Sequence, residues 1–149
     1  MQIVALIITA VIFLSPLSAD QNREGANGCT IIQHFISEIS GKDFLHYELK
    51  KKLLPFFRGT SKEKENNYYT FIVRMAWKWR KLNISSSIVK RIKLLACKKR
   101  PDGNFEGIVE VYFHHFLFFT KSFQIKLIAV NSDEGWKITL PSFSDEPLK

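Results

Sequence analysis

The chain reads as one α+β domain, three N-terminal helices packed in a curved antiparallel sheet, and three observations carry that reading. Its first half places apolar residues at helical spacing: Ile31, Ile32, Phe35, Ile36 and Ile39, then Phe44, Leu45, Leu49 and Leu53. Its second half switches to a period of two, with Val109, Val111 and Phe113, then Phe123, Ile125, Leu127 and Ala129. Thirteen Phe and a 46% apolar share in 149 residues suffice for one core. They favour a strand-heavy interior, or one enclosing an apolar pocket.

The amino-terminal segment stands apart from that domain. Ile3 to Leu14 is almost wholly apolar, Pro16 breaks it, and Leu17-Ser18-Ala19 offers a small residue at a cleavage position. Residues 1–19 therefore read as a secretory signal. The apolar run is about 12 residues, short of the roughly 17–25 that a bilayer-spanning helix needs, so no membrane span is expected after cleavage. Residues 20–27 form a polar leader, 28–141 the domain and 142–149 a polar tail.

An oxidising compartment gives the two cysteines a meaning. Cys29 and Cys97 are expected to form one disulfide, two unpaired buried thiols being the alternative. Asn83-Ile84-Ser85 is a glycosylation sequon between two expected elements, with Asn83 as acceptor.

Taken in order, the first helix runs from Cys29 to Ser40 and Gly41 ends it. Asp43 caps a second helix that stops before Pro55, and the short connection folds the two into a hairpin. Phe56-Phe57-Arg58-Gly59 reads as a short strand and turn. Thr60 and Glu63 have capping-box spacing, so a third helix starts there. From Tyr68 to Leu82 the apolar residues suit a helix or a strand, and the cap and the length decide for helix as far as about Lys81.

Ile88–Ala96 is the next expected strand. Lys98–Asn104, with Pro101 and Asp102-Gly103, is a turn that pairs it with its successor as a hairpin. Gly107–Phe119 reads as one long strand. Its far end, Phe116 to Phe119, would bury on both faces unless a bulge shifts the alternation, and a bulge that bends the sheet is the preferred reading. Ser122–Val130 and Gly135–Leu140 complete the sheet.

This order of elements resembles the nuclear transport factor two-like, or cystatin-like, cone. The residues that carry the resemblance are the first apolar helix (Ile31 to Ile39), Asp43 opening the second, and Phe56-Phe57-Arg58-Gly59 as short strand. The Thr60-capped helix and the closing Gly135-Trp136-Lys137-Ile138 strand also match. The chain looks like a small secreted member of the kind found in nematodes. The resemblance implies a sheet wrapped round helices to enclose an apolar cavity. Some members of the family are isomerases, dehydratases or hydrolases, and many others only bind a ligand or a partner.

On that reading the cavity-lining candidates are Phe35, Tyr68, Ile72, Met75, Trp79, Phe113, His115, Leu117, Phe123, Ile125 and Trp136. An isomerase-like site needs a buried acid or base and an oxyanion donor, and only Tyr68, Tyr69, Tyr112 and Glu110 offer pieces of one. Neither metal-ligand spacing nor a cofactor motif is legible, because His114 and His115 are strand neighbours that face opposite sides.

A net charge of +8 makes the surface basic. The basic-surface candidates are Lys50, Lys51, Lys52, Arg80, Lys98, Lys99 and Arg100. Secretion argues against nucleic acid as their partner and leaves an extracellular polyanion. The leading expectation is a secreted, non-enzymatic binding protein. It holds an apolar small molecule in the cavity or a protein on the sheet face, a second copy included. Polyanion binding and an isomerase- or hydrolase-like activity are the alternatives.

Overall fold

A computed structural model describes residues 19–142, so the expected signal segment as far as Ser18 and the expected tail from Phe143 lie outside the described residues. Three helices, α1 (Ala19–Ile39), α2 (Tyr47–Leu53) and α3 (Ser61–Lys81), precede four strands. These are β1 (Val89–Lys99), β2 (Phe105–His115), β3 (Phe119–Ser132) and β4 (Gly135–Thr139). They form one antiparallel sheet in the order β1-β2-β3-β4.

Helix α1 begins well before Cys29, so the backbone of the expected leader is helical and continuous with the domain. Its apolar stripe is buried as its spacing predicts, with Ile32, Phe35 and Ile39 fully enclosed. The helix lies close on the sheet: a Cβ on Gly107 of β2 would stand 2.9 Å from Ile32 Cδ1, and only glycine leaves that room. Gly41 ends the helix at φ 74°, and its N–H donates to the Val89 carbonyl at 2.8 Å, stitching the turn to the start of β1.

The second helix starts later than expected, and Asp43 does not cap it. The Asp43 carboxylate accepts the Leu45 N–H at 2.9 Å in a local turn, while His46 is the cap, its Nδ1 accepting the Glu48 N–H at 3.3 Å. An aspartate serves its own backbone two residues on as readily as a helix end, and the sequence signals for the two are alike. Phe56–Gly59 is also not a strand. Leu54–Phe56 forms a 3₁₀ turn at Pro55, and Phe57 makes a single parallel bridge to Ile138.

Helix α3 has both halves of its capping box: the Thr60 N–H donates to Glu63 Oε2 at 2.6 Å, and the Glu63 N–H donates to Thr60 Oγ1 at 3.4 Å. Thr60→Ala should cost about 1 kcal/mol. The bond from the Thr60 backbone also holds the Glu63 carboxyl below its ordinary 4.5. Its contribution is therefore complete above that pH and lost as pH falls through the lower, folded value. Urea unfolding at neutral pH checks the first, and a smaller loss of stability on acidification in a Glu63→Gln variant than in the wild type checks the second.

The largest difference is in the sheet. Gly107–Phe119 is not one bent strand. β2 ends at His115, a turn follows, and Phe119 already belongs to β3, pairing with His115. The reason lies in the neighbours. β1 begins at Val89 opposite Phe113, and Phe44 packs on Phe113 with ring centroids 5.8 Å apart. Past that level the expected four apolar residues have no third strand or helix to bury against. The irregularities that the sequence placed in this strand occur instead in β1, between Val89 and Arg91 and between Leu94 and Ala96.

Two cations fix α3 to the edge of the sheet. β4 pairs with β3 only from Ile128 to Ser132, which leaves the earlier part of that edge without a strand partner. There Lys78 Nζ donates to the Gln124 carbonyl, and Arg74 donates to the carbonyl of Pro141 beyond β4. Both side chains are buried, their aliphatic stems packed under the helix.

Candidate functional site

The most exposed apolar surface lies at the turn between β2 and β3. Phe116, Leu117, Phe118 and Phe119 are 71%, 91%, 93% and 72% exposed. The turn closes with the Phe119 N–H donating to the Phe116 carbonyl at 2.8 Å. Phe116 sits at φ 40°, a left-handed conformation that costs a bulky residue about 1–3 kcal/mol. Singly exposed apolar side chains are ordinary, whereas four in sequence at a protruding tip make this the candidate contact surface. Sequence reasoning missed this turn because it contains no Gly, Pro, Asn or Asp. The one available signal was length: a strand of that many residues is well beyond the usual five or six.

Leu117, expected to line a cavity, therefore points away from the interior. His115 is half-buried at the foot of the turn, edge-on to Phe116 at 5.0 Å, and its Nδ1 has no hydrogen-bond partner among the described residues. The other expected cavity positions are brought together as one packed core. Phe35 meets Phe71 edge-on at 5.2 Å, Phe113 stacks on Phe123 at 5.5 Å, and Met75 and Ile125 are buried beside them. Tyr68 is buried, its hydroxyl pKa pushed up by that burial. Ile72, Trp79 and Trp136 flank the core, with Trp79 Nε1 donating to the Ser86 carbonyl at 2.8 Å and Trp136 edge-on to Phe105. A surface recess of about 160 Å³ opens elsewhere, between Lys42, Asp43, His46, Leu49 and Lys52.

The basic candidates do not converge. Lys98 and Lys99 end β1, and Arg100 opens the β1–β2 turn, at the opposite end of the sheet from the apolar turn. Lys98 pairs with Glu106 at 3.7 Å and Arg100 with Asp102 at 3.5 Å. On α2, Lys50 pairs with Glu65 at 2.9 Å, which raises its pKa together with a bond to Tyr69. Lys52 reaches Glu38 at 3.9 Å, and Lys51 lies over the Tyr47 ring. Arg80 stands apart from these, exposed in the last turn of α3. That helix end lies at the apolar-turn end of the sheet, where Lys121 Nζ donates to the Leu82 carbonyl at 2.6 Å. Asn83 follows at φ 50°, exposed in the same region.

The pieces of an acid–base site are not assembled. Glu110 faces outward on β2, accepting hydrogen bonds from the Tyr112 hydroxyl at 2.5 Å and from Ser122 Oγ at 2.8 Å. That bond to Glu110 raises the Tyr112 pKa. Tyr68 belongs to the core on the other face of the sheet. Among the described residues no group of three His, Cys, Asp or Glu side chains could hold a metal ion.

Cys29 and Cys97 form a disulfide. Among the described residues no helix is long and apolar enough to cross a membrane. The disulfide fits an extracellular protein. No family model, curated protein or solved structure matches this chain, and what stands established is an α+β domain of three helices followed by a four-stranded antiparallel sheet.

Proposed function

We propose that this is a secreted, non-enzymatic binding protein that docks on a lipid bilayer by inserting the β2–β3 turn. The observation that carries this reading is the run of four exposed apolar side chains, Phe116 to Phe119, on a protruding turn. A convex tip of this kind needs no complementary pocket, and the fluid acyl boundary of a bilayer accepts it to a depth of about 5–10 Å. Each side chain moved out of water gains about 1.5–3 kcal/mol, enough for several together to offset the cost of docking. The apolar contact first expected in an interior cavity is thus assigned to the turn. The outward sheet face suits a partner less, since Tyr112, Glu110 and Ser122 are hydrogen-bonded to one another and Glu106 lies 3.7 Å from both Lys98 and Lys126. The signal-like first 19 residues support secretion. Three helices ahead of one antiparallel sheet, with α1 lying on it, support the nuclear transport factor two-like cone as the fold, with a single bridge at Phe57 in place of the expected short strand.

Cosedimentation with phosphatidylcholine–phosphatidylserine vesicles tests the docking. The wild-type chain should pellet with the vesicles, and the Leu117→Ser, Phe118→Ser double variant should remain in the supernatant. Its thermal midpoint should be unchanged, because these side chains touch little of the core. A wild type that leaves the vesicles alone, or a double variant that pellets equally well, would overturn the reading.

A further inference from the structure

The cations around the apolar turn are arranged differently from most of those on α2 and the β1–β2 turn. Lys90 and Arg91 open β1 beside the foot of the turn, with Lys90 Nζ 3.5 Å from Thr120 Oγ1 and Arg91 stacked 4.3 Å over the Tyr112 ring. Lys121 stands opposite Phe113 in the ladder, and its contact with the Leu82 carbonyl brings the end of α3, with Arg80 and Lys81, to the same end of the molecule. Lys81 lies 5.1 Å from the centre of the exposed Trp77 ring.

The lysines of α2 and the cations of the β1–β2 turn are largely matched by carboxylates. Among the described residues, Arg80, Lys81, Lys90, Arg91 and Lys121 have no carboxylate within ion-pair distance. The sequence itself has no Asp or Glu between Glu65 and Asp102, nor between Glu110 and Asp133. The carboxylates nearest this end are Asp43, occupied by the Leu45 N–H, and Glu110, occupied by Tyr112 and Ser122.

We infer that these cations, which have no carboxylate partner among the described residues, make the docking selective for bilayers with anionic headgroups. The inference rests on the docking proposed above and names the lipid class it recognises. The heights agree. A strand rises about 3.3 Å per residue, so Lys121 lies about 7 Å behind Phe119, at headgroup level when the turn reaches the acyl boundary. An aromatic side chain such as Trp77 also favours that interfacial depth. The clusters at the far end of the sheet are too distant to act there, since charge is felt only within about 8–10 Å at physiological salt.

Vesicles of phosphatidylcholine alone, compared with vesicles that also contain phosphatidylserine, test the inference with the full, disulfide-bonded chain. The wild type should prefer the serine-containing vesicles, and a Lys81→Gln, Lys90→Gln double variant should lose on the order of 25-fold of that binding, about fivefold per cation. Its binding to phosphatidylcholine alone should be unchanged, and raising salt to about 1 M should remove the wild type's preference. Equal wild-type binding to both vesicle types, still abolished by Leu117→Ser, Phe118→Ser, would overturn the selectivity and leave the docking intact. Undiminished binding by the Lys81→Gln, Lys90→Gln variant would also overturn it. Failure to bind either vesicle, or retention on an immobilised protein partner only, would remove docking and selectivity together.

Discussion

Replacing Cys29 and Cys97 together by alanine should lower the unfolding free energy by about 4 kcal/mol, the loop-closure value for cysteines 68 residues apart. The bond ties α1 to the far end of β1 and encloses α2, α3 and most of β1 in one covalent loop. Neither partner sits in the fully buried centre of the core, so little of the loss comes from an emptied cavity. The main effect is on the unfolded chain, which regains the freedom that the bond denied it. With a total stability of about 5–15 kcal/mol for a typical domain, a loss of this size consumes a large share. Urea unfolding should show the midpoint falling by about 2 M, and reduction of the wild type should reproduce the shift. A change below about 1 kcal/mol would mean that the loop is already restrained in the unfolded chain.

Phe35→Ala should cost about 3–5 kcal/mol. Phe35 is fully buried on α1 and meets Phe56, Phe57 and Phe71 edge-on, with centroids 5.6, 5.6 and 5.2 Å away. One side chain thus joins α1, the 3₁₀ turn and α3. Its removal leaves a cavity lined by three rings that cannot all close in. Phe118→Ala is the control: the same deletion at a side chain 93% exposed should change stability by less than about 0.5 kcal/mol. Thermal or urea unfolding of the pair separates the two roles of phenylalanine here. Comparable losses from both would mean that the turn packs on the domain, and docking through it would fail with that result.

These contrasts show where local information ends. Gly41 at the end of α1 was legible because positive φ favours glycine at a helix end, and the Thr60–Glu63 box at the start of α3 because its partners lie within one turn of chain. The stripe from Ile31 to Ile39, the alternation of β2 and β3 and the hairpin at Asp102-Gly103 were legible for the same reason: each is a repeat or a turn chemistry confined to a few residues. Asp43 misled because its short-range bond to the Leu45 amide and a true cap look alike in sequence. The fate of Phe116 to Phe119 was hidden because burial depends on what stands opposite. Nothing within the segment reveals that Val89, the first residue of β1, stands opposite Phe113.

The sequence by itself therefore settled that three helices precede the sheet, though not where the first two begin, and it settled the strand alternation, the single pair of cysteines and the basic charge. Only the tertiary structure decided which cations serve the fold and which face solvent. Arg74 and Lys78 belong to the same run of basic residues as Arg80 and Lys81, yet the first two end on backbone carbonyls at the edge of the sheet. A charge is spent or kept according to the group that the chain brings back to it from 40 or more residues away, and no local pattern encodes that distance.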